Sequence, residues 1–226
     1  MKKFLMFCGI LFAPLMASAS EFDIENPLYF ENANDFVVIG GGSYGSDLLD
    51  VGLNARYGIN GIFSLAADVK YQQDFDGNAD GFSDVGFQLT YRASSENIIT
   101  DILAGINFGG SSAPEWYNNV YSAGIRVGKN FNKWTFAGTG MASWIFDDVH
   151  GMSFIDLSPS VYYSFNDEWK IGGDIIIRRA TMPRYNRETF SLKIVRQYGR
   201  TQYTGFGQYE IEESDFRFGA RVGVVF

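Results

Sequence analysis

LDVGLNARYGINGIFSLAADVKY, residues 49–71, decides the fold. From Leu49 to Ile59 the odd positions are Leu49, Val51, Leu53, Ala55, Tyr57 and Ile59, and the even ones are Asp50, Gly52, Asn54, Arg56 and Gly58. Successive side chains of an extended chain point to opposite faces, so strict period two gives a strand with one apolar and one polar face. Asn60-Gly61 follows as a hairpin turn. Past it, Phe63, Leu65, Ala67, Val69 and Tyr71 alternate with Ser64, Ala66, Asp68 and Lys70.

The pattern recurs along the chain. Val85 to Ala93, Ile102 to Phe108 and Tyr121 to Val127 alternate in the same way, and so do Ile155 to Tyr163, Trp169 to Ile177 and Phe190 to Ile194. Tyr203 to Ile211 and FRFGARVGVVF, residues 216–226, complete the count, which reaches twelve with Asp35–Ser43 and Trp134–Phe146. In Trp134–Phe146 the alternation is less clean, because Thr135, Ala137, Thr139 and Met141 could face either way. Turns at Asn60-Gly61, Ser94–Asn97, Asn132-Lys133, Asn166–Glu168 and Gly199-Arg200 are short, whereas Gln73–Phe82, Gly110–Asn119 and Arg179–Glu188 between them are longer. Alternating short turns and long loops is the habit of transmembrane barrels with an even number of strands.

The N-terminal residues read as an export signal. Lys2 and Lys3 precede a mostly apolar run from Phe4 to Met16, and Ala17-Ser18-Ala19 closes it with a small-x-small cleavage pattern. The expected organisation is a signal peptide over 1–19, an acidic periplasmic segment over 20–34 and a barrel over 35–226. Cys8, the only cysteine, falls within the signal, so no disulfide is expected. Aromatic residues make up 17% of the chain, with 21 Phe and 13 Tyr, yet the mean hydropathy is only −0.08. Beyond the signal no apolar run approaches the roughly 20 residues of a spanning helix. A closed sheet resolves the conflict, because it pairs its backbone between strands and needs only every second residue to be apolar.

Alternation also suits a water-soluble barrel with its apolar face inward, but about eight strands already fill such an interior. Twelve enclose too much space, and Tyr57, Tyr71, Tyr91, Phe108, Tyr121, Trp134, Trp169 and Phe226 stand near the ends of the apolar runs, where aromatic side chains meet membrane interfaces. The expected fold is an all-β, closed antiparallel transmembrane barrel of about 12 strands with both termini periplasmic. The expected location is the outer membrane of a Gram-negative bacterium.

Phe218, Ala220, Val222, Val224 and Phe226 alternate down to a terminal aromatic. This resembles the assembly signal of bacterial outer-membrane β-barrel proteins, and the resemblance implies the barrel-assembly machinery as a partner during insertion. GFSDVGFQLTYR followed by GINFGG is similar in cadence to outer-membrane transport proteins linked to aromatic-compound degradation.

Several groups carry candidate chemistry. Asp50, Arg56, Asp68, Lys70, Asp84, Arg92, Asp101, Arg126, Asp174, Arg217 and Arg221 fall on the polar faces and are expected to line the lumen. Asp76, Asn78 and Asp80, with Gly81 behind them, have the alternate spacing of a calcium loop, although a solvated acidic loop tip is the simpler reading. Arg178, Arg179, Arg184 and Arg187 are expected in one long loop, where Arg179, Arg184 and Arg187 could grip lipopolysaccharide phosphates by bidentate pairing or form no more than a solvated charge run. His150 and Ser153 offer a base and a hydroxyl, without the signature spacing of outer-membrane lipid hydrolases. A net charge of −8 argues against nucleic acid. The expected function is a narrow passive channel for small solutes in contact with membrane lipid and lipopolysaccharide, with no enzymatic activity and no cofactor. The alternative is a barrel acting through its loops as a lipid-modifying enzyme or adhesin. Whether Glu21–Asp35 enters the lumen is left open by the sequence.

Overall fold

A computed structural model describes residues 23–46, 48–75, 80–109, 119–145, 152–182 and 186–226. The expected signal peptide lies outside the described residues. Twelve strands form one closed antiparallel barrel in chain order. They are β1 (Phe36–Tyr44), β2 (Leu48–Gly58), β3 (Phe63–Asp74), β4 (Asp80–Ser94), β5 (Ile99–Gly109) and β6 (Val120–Phe131). The second half comprises β7 (Trp134–Ile145), β8 (Met152–Ser164), β9 (Trp169–Ala180), β10 (Arg187–Tyr198), β11 (Thr201–Glu210) and β12 (Asp215–Val225).

Closure occurs between β1 and β12, in register from Val37 opposite Val225 to Tyr44 opposite Phe218. Phe226 extends the joint: its N–H donates to the Phe36 carbonyl at 2.8 Å, and the two rings lie 6.3 Å apart. Gly41 sits in this seam because a Cβ there would press on the Ala220 carbonyl at 2.5 Å, and on the other edge of β1 one at Gly42 would stand 2.6 Å from the Asp50 carbonyl of β2.

The turns at the rim holding Phe36 and Phe226 are short, and two of them use one device. Asn60 accepts N–H bonds from Ile62 and Phe63 through its side chain, with Gly61 at φ +70°. Asn166 does the same for Glu168 and Trp169. The Asn60-Gly61 turn is therefore wider than a two-residue hairpin, running from Ile59 to Ile62 between the strands.

The apolar face points outward. Leu53, Leu65, Leu89, Ile102 and Ile125 are between 42% and 49% exposed around the middle of the wall, which an aqueous exterior would penalise and hydrocarbon rewards. Tyr57, Tyr91, Trp134, Trp169 and Phe226 ring the short-turn end, and Tyr71, Phe108, Tyr121, Trp144 and Phe218 ring the other. An aliphatic band between two aromatic girdles is the exterior of a membrane-spanning barrel. β7 resolves its ambiguous face: Thr135 is buried and pairs with inward Tyr162, while Phe136 and Trp144 are exposed outside.

One expectation of position is corrected. Arg178, Arg179 and Arg187 do not share a loop, because β9 runs to Ala180 and β10 begins at Arg187. Arg178 and Arg187 stand opposite each other on the inward face, where Arg178 binds Asp156 at 2.8 Å and Arg187 binds Glu210 at 2.7 Å. Both strands extend because each gains a carboxylate partner inside the barrel. Arg179 faces outward, paired with Glu188, and Arg184 lies outside the described residues.

Candidate functional site: the lumen and its floor

The inward wall carries charged and polar side chains from one end to the other, with apolar residues gathered at two places. At the short-turn end Arg92, Asp101 and Arg126 stand in register on three adjacent strands. Asp101 is fully buried and accepts from both guanidiniums, at 2.8 and 3.1 Å from Arg92 and 2.9 and 2.6 Å from Arg126. Farther round, Lys193 pairs with Asp174 at 2.5 Å and lies 5.9 Å from the centre of the Tyr162 ring. The guanidinium of Arg221 stacks over Phe206 at 4.7 Å.

At the long-loop end Lys70 and Arg217 approach Asp50, at 3.2 and 3.8 Å, and Arg217 binds Asp215 at 2.6 Å. At the same end, on the opposite wall of the barrel, lies an apolar patch that the sequence reading missed. Ile145, Met152 and Phe154 are buried there with Val120, Ala180 and Met182 packed on them, and Arg178 caps Phe154 at 4.2 Å. The signal was present, since Met152 and Phe154 share the even, inward parity of Asp156, but they precede the alternating run Ile155–Tyr163 and are apolar where that face is polar.

Residues 23–34 settle the open question of the acidic segment. They lie inside the short-turn mouth as a compact stretch, with the N–H of Asn26 donating to the Asp23 carbonyl and that of Tyr29 to the Asn26 carbonyl, each at 2.9 Å. Ile24 is buried against Val37, Ile39 and Val225. Asp23 pairs with Lys170 on β9 at 2.5 Å and accepts from Gln202 on β11 at 3.2 Å. Glu25 approaches Arg221 on β12 at 3.3 Å, and its N–H donates to Gln202 at 2.8 Å. Asn26 donates to Thr135 on β7, and the Leu28 carbonyl accepts from Arg92 on β4 at 3.0 Å. Glu31 accepts from Ser64 on β3 at 2.6 Å and lies 3.8 Å from Arg56 on β2. The Phe30 ring takes the Arg92 guanidinium at 4.5 Å.

These partners lie within a few residues of the short-turn ends of their strands, so the segment forms a floor across the mouth. The wall accommodates it closely. A Cβ at Gly58 would run into the Asn32 carbonyl, and one at Gly128 would stand 2.8 Å from Leu28. Burial, aided by nearby Glu31 and Asp35, raises the Tyr29 hydroxyl well above the ordinary tyrosine value, so it is a neutral part of this floor.

Of the sequence-derived lumen residues, Asp50, Arg56, Asp68, Lys70, Arg92, Asp101, Arg126, Asp174, Arg217 and Arg221 occupy inward register positions, and so does Asp84, by its pairing with Gly109. Phe218, Ala220, Val222, Val224 and Phe226 hold the outward parity of β12 and its extension. Asp76, Asn78 and His150 lie outside the described residues; Asp80 opens β4, and Ser153 takes an outward register position opposite Trp144. Among the described residues no three His, Cys, Asp or Glu side chains gather as metal ligands would.

A closed barrel with an apolar outer belt between aromatic girdles and a charged interior defines the class: this is a membrane-spanning β-barrel protein. No protein-family model and no curated protein sequence matches the chain. Its fold is shared with solved outer-membrane barrels. The NanC porin superposes with a TM-score of 0.69 at 11% identity, covering 84% of this chain and 98% of that one. The KdgM porin, solved in complex with disordered oligogalacturonate, gives 0.66 at 13% identity over 84% and 99% of the two chains. The COG4313 outer membrane channel from Pseudomonas putida F1 gives 0.64 at 12% identity, covering 91% of this chain and 100% of that one.

Proposed function

We propose that the protein is a narrow passive channel of the outer membrane for small polar or amphipathic solutes, with its short-turn rim in the periplasm. The interior carries the reading. A barrel that served only as an anchor would need no ionised wall, whereas here charges of both signs run from one mouth to the other. Three neighbours of the same architecture are a porin, a porin and a channel, which supports the same use of the fold.

Long-loop residues then face lipopolysaccharide, with outward Arg179 at that rim a candidate for its phosphates. The alternating outward face from Phe218 to Phe226 would be what the assembly machinery reads. Liposome swelling with neutral sugars and amino acids of graded size tests the channel. Swelling is expected to fall with solute size, and to rise when residues 23–34 are deleted. A folded barrel that passes no solute either with or without the segment would overturn the proposal.

A further inference from the structure

The floor is seated by charge in a particular way. At the short-turn half the wall offers Arg56, Arg92, Arg126, Lys170, Lys193 and Arg221 to the interior, against the carboxylates Asp68, Asp101 and Asp174. Asp101 is taken by Arg92 and Arg126, and Asp174 by Lys193. The ion-pair partners of Lys170, Arg221 and Arg56 come from the segment: Asp23, Glu25 and Glu31 in turn. These three cations stand on β9, β12 and β2, so the segment spans a basic arc of the wall with one carboxylate at each station.

Closing a mouth does not require this arrangement. Apolar contacts of the Ile24 and Leu28 kind would suffice, and withdrawing carboxylates and cations from water for one another brings little net stability. Carboxylates distributed over separate cations are what an oligomeric anion would present to the same wall.

We propose that residues 23–34 act as a built-in pseudo-ligand: Asp23, Glu25 and Glu31 occupy a cationic site made by Lys170, Arg221 and Arg56, and a linear polycarboxylate solute takes that site when the segment leaves. This deepens the channel reading and rests on it, by naming the class of solute. Selection and closure become one competition. The solute that fits the wall is the one that displaces the floor, and a cationic solute of the same length has no station to occupy.

The test is calorimetric binding of hexa-L-glutamate, with hexa-L-lysine as control, to the full chain in detergent at low and high salt. Two variants are compared with the native protein: a deletion of residues 23–34, and Asp23→Asn/Glu25→Gln/Glu31→Gln, which keeps the segment and removes its charge. If the segment fills the site all but about one-hundredth of the time, removing it raises the apparent affinity for hexaglutamate about a hundredfold. The discharged variant is expected to gain at least about tenfold, weakened by salt as exposed charges require.

Adding Lys170→Gln, Arg221→Gln and Arg56→Gln to the discharged variant should abolish the gain. Hexaglutamate bound no more tightly by the discharged chain than by the native one, or hexalysine bound equally well, overturns the proposal. Should the deletion fail to fold, judged by heat-modifiable gel mobility, the discharged variant decides alone. Solute flux in liposomes is read separately, so a channel that conducts without a hexaglutamate effect sinks the pseudo-ligand and leaves the channel standing.

Discussion

Leu89 and Gln88 are adjacent in β4 and meet opposite environments, which makes them a direct probe of the face assignment. Leu89 points outward, 42% exposed, opposite Ala104, the central residue of the eleven-residue β5, so it lies near the middle of the belt. Gln88 points inward and donates a bond to Thr90 at 3.3 Å.

Leu89→Arg places a guanidinium in hydrocarbon, which costs about 2–4 kcal/mol at the midplane. Each 1.4 kcal/mol is tenfold, so the folding equilibrium constant falls about thirtyfold to a thousandfold. Gln88→Arg puts the same side chain into a polar lumen and forfeits one long hydrogen bond, a loss of about 1 kcal/mol or less. Equilibrium unfolding of the two variants from phospholipid vesicles by guanidinium, at equal slope, measures the difference. Equal costs, or a larger cost for Gln88→Arg, would refute the outward assignment of the apolar face and the membrane barrel with it.

Other perturbations reach separate features. Asp101→Asn removes the single carboxylate shared by two guanidiniums in a buried site and should destabilise the barrel by about 3–5 kcal/mol, read by the same unfolding assay. Deleting Phe226 forfeits its ring contact and its hydrogen bond to Phe36, and should slow insertion into vesicles, followed by the appearance of the heat-modifiable gel form, more than it lowers final stability. Gly58→Val should unseat the segment at its exit, where a side chain meets the Asn32 carbonyl, and increase liposome swelling; unchanged swelling would mean that the floor does not limit flux.

Most of the barrel was legible because period two is a local property. Leu49 to Tyr71 alone gave two strands, their faces and the turn between them. β7 was legible only in outline, since Thr135, Ala137, Thr139 and Met141 are compatible with either environment and are assigned by the cross-strand neighbours Asn130, Tyr162 and Ser160. The extent of β9 and β10 was misjudged because Arg178 and Arg187 look like loop residues until Asp156 and Glu210 are known to lie beside them.

Partnership was the least legible property. Arg92, Asp101 and Arg126 were each expected inside, but their joining into one triad depends on the register of three strands. The floor was invisible to any local reading, because Asp23 finds Lys170 and Glu25 finds Gln202 across most of the length of the chain.

The seam between the first and last strands has a mechanical consequence. β1 is the shortest strand, at nine residues, and Gly40, Gly41 and Gly42 leave its centre with almost no side chain, so the ring is zipped there chiefly by backbone bonding. Residues 23–34 run straight into that strand. A pulling force applied to the floor from the short-turn mouth would be delivered to the thinnest stave of the cask, and single-molecule extraction should begin by peeling β1 from β12.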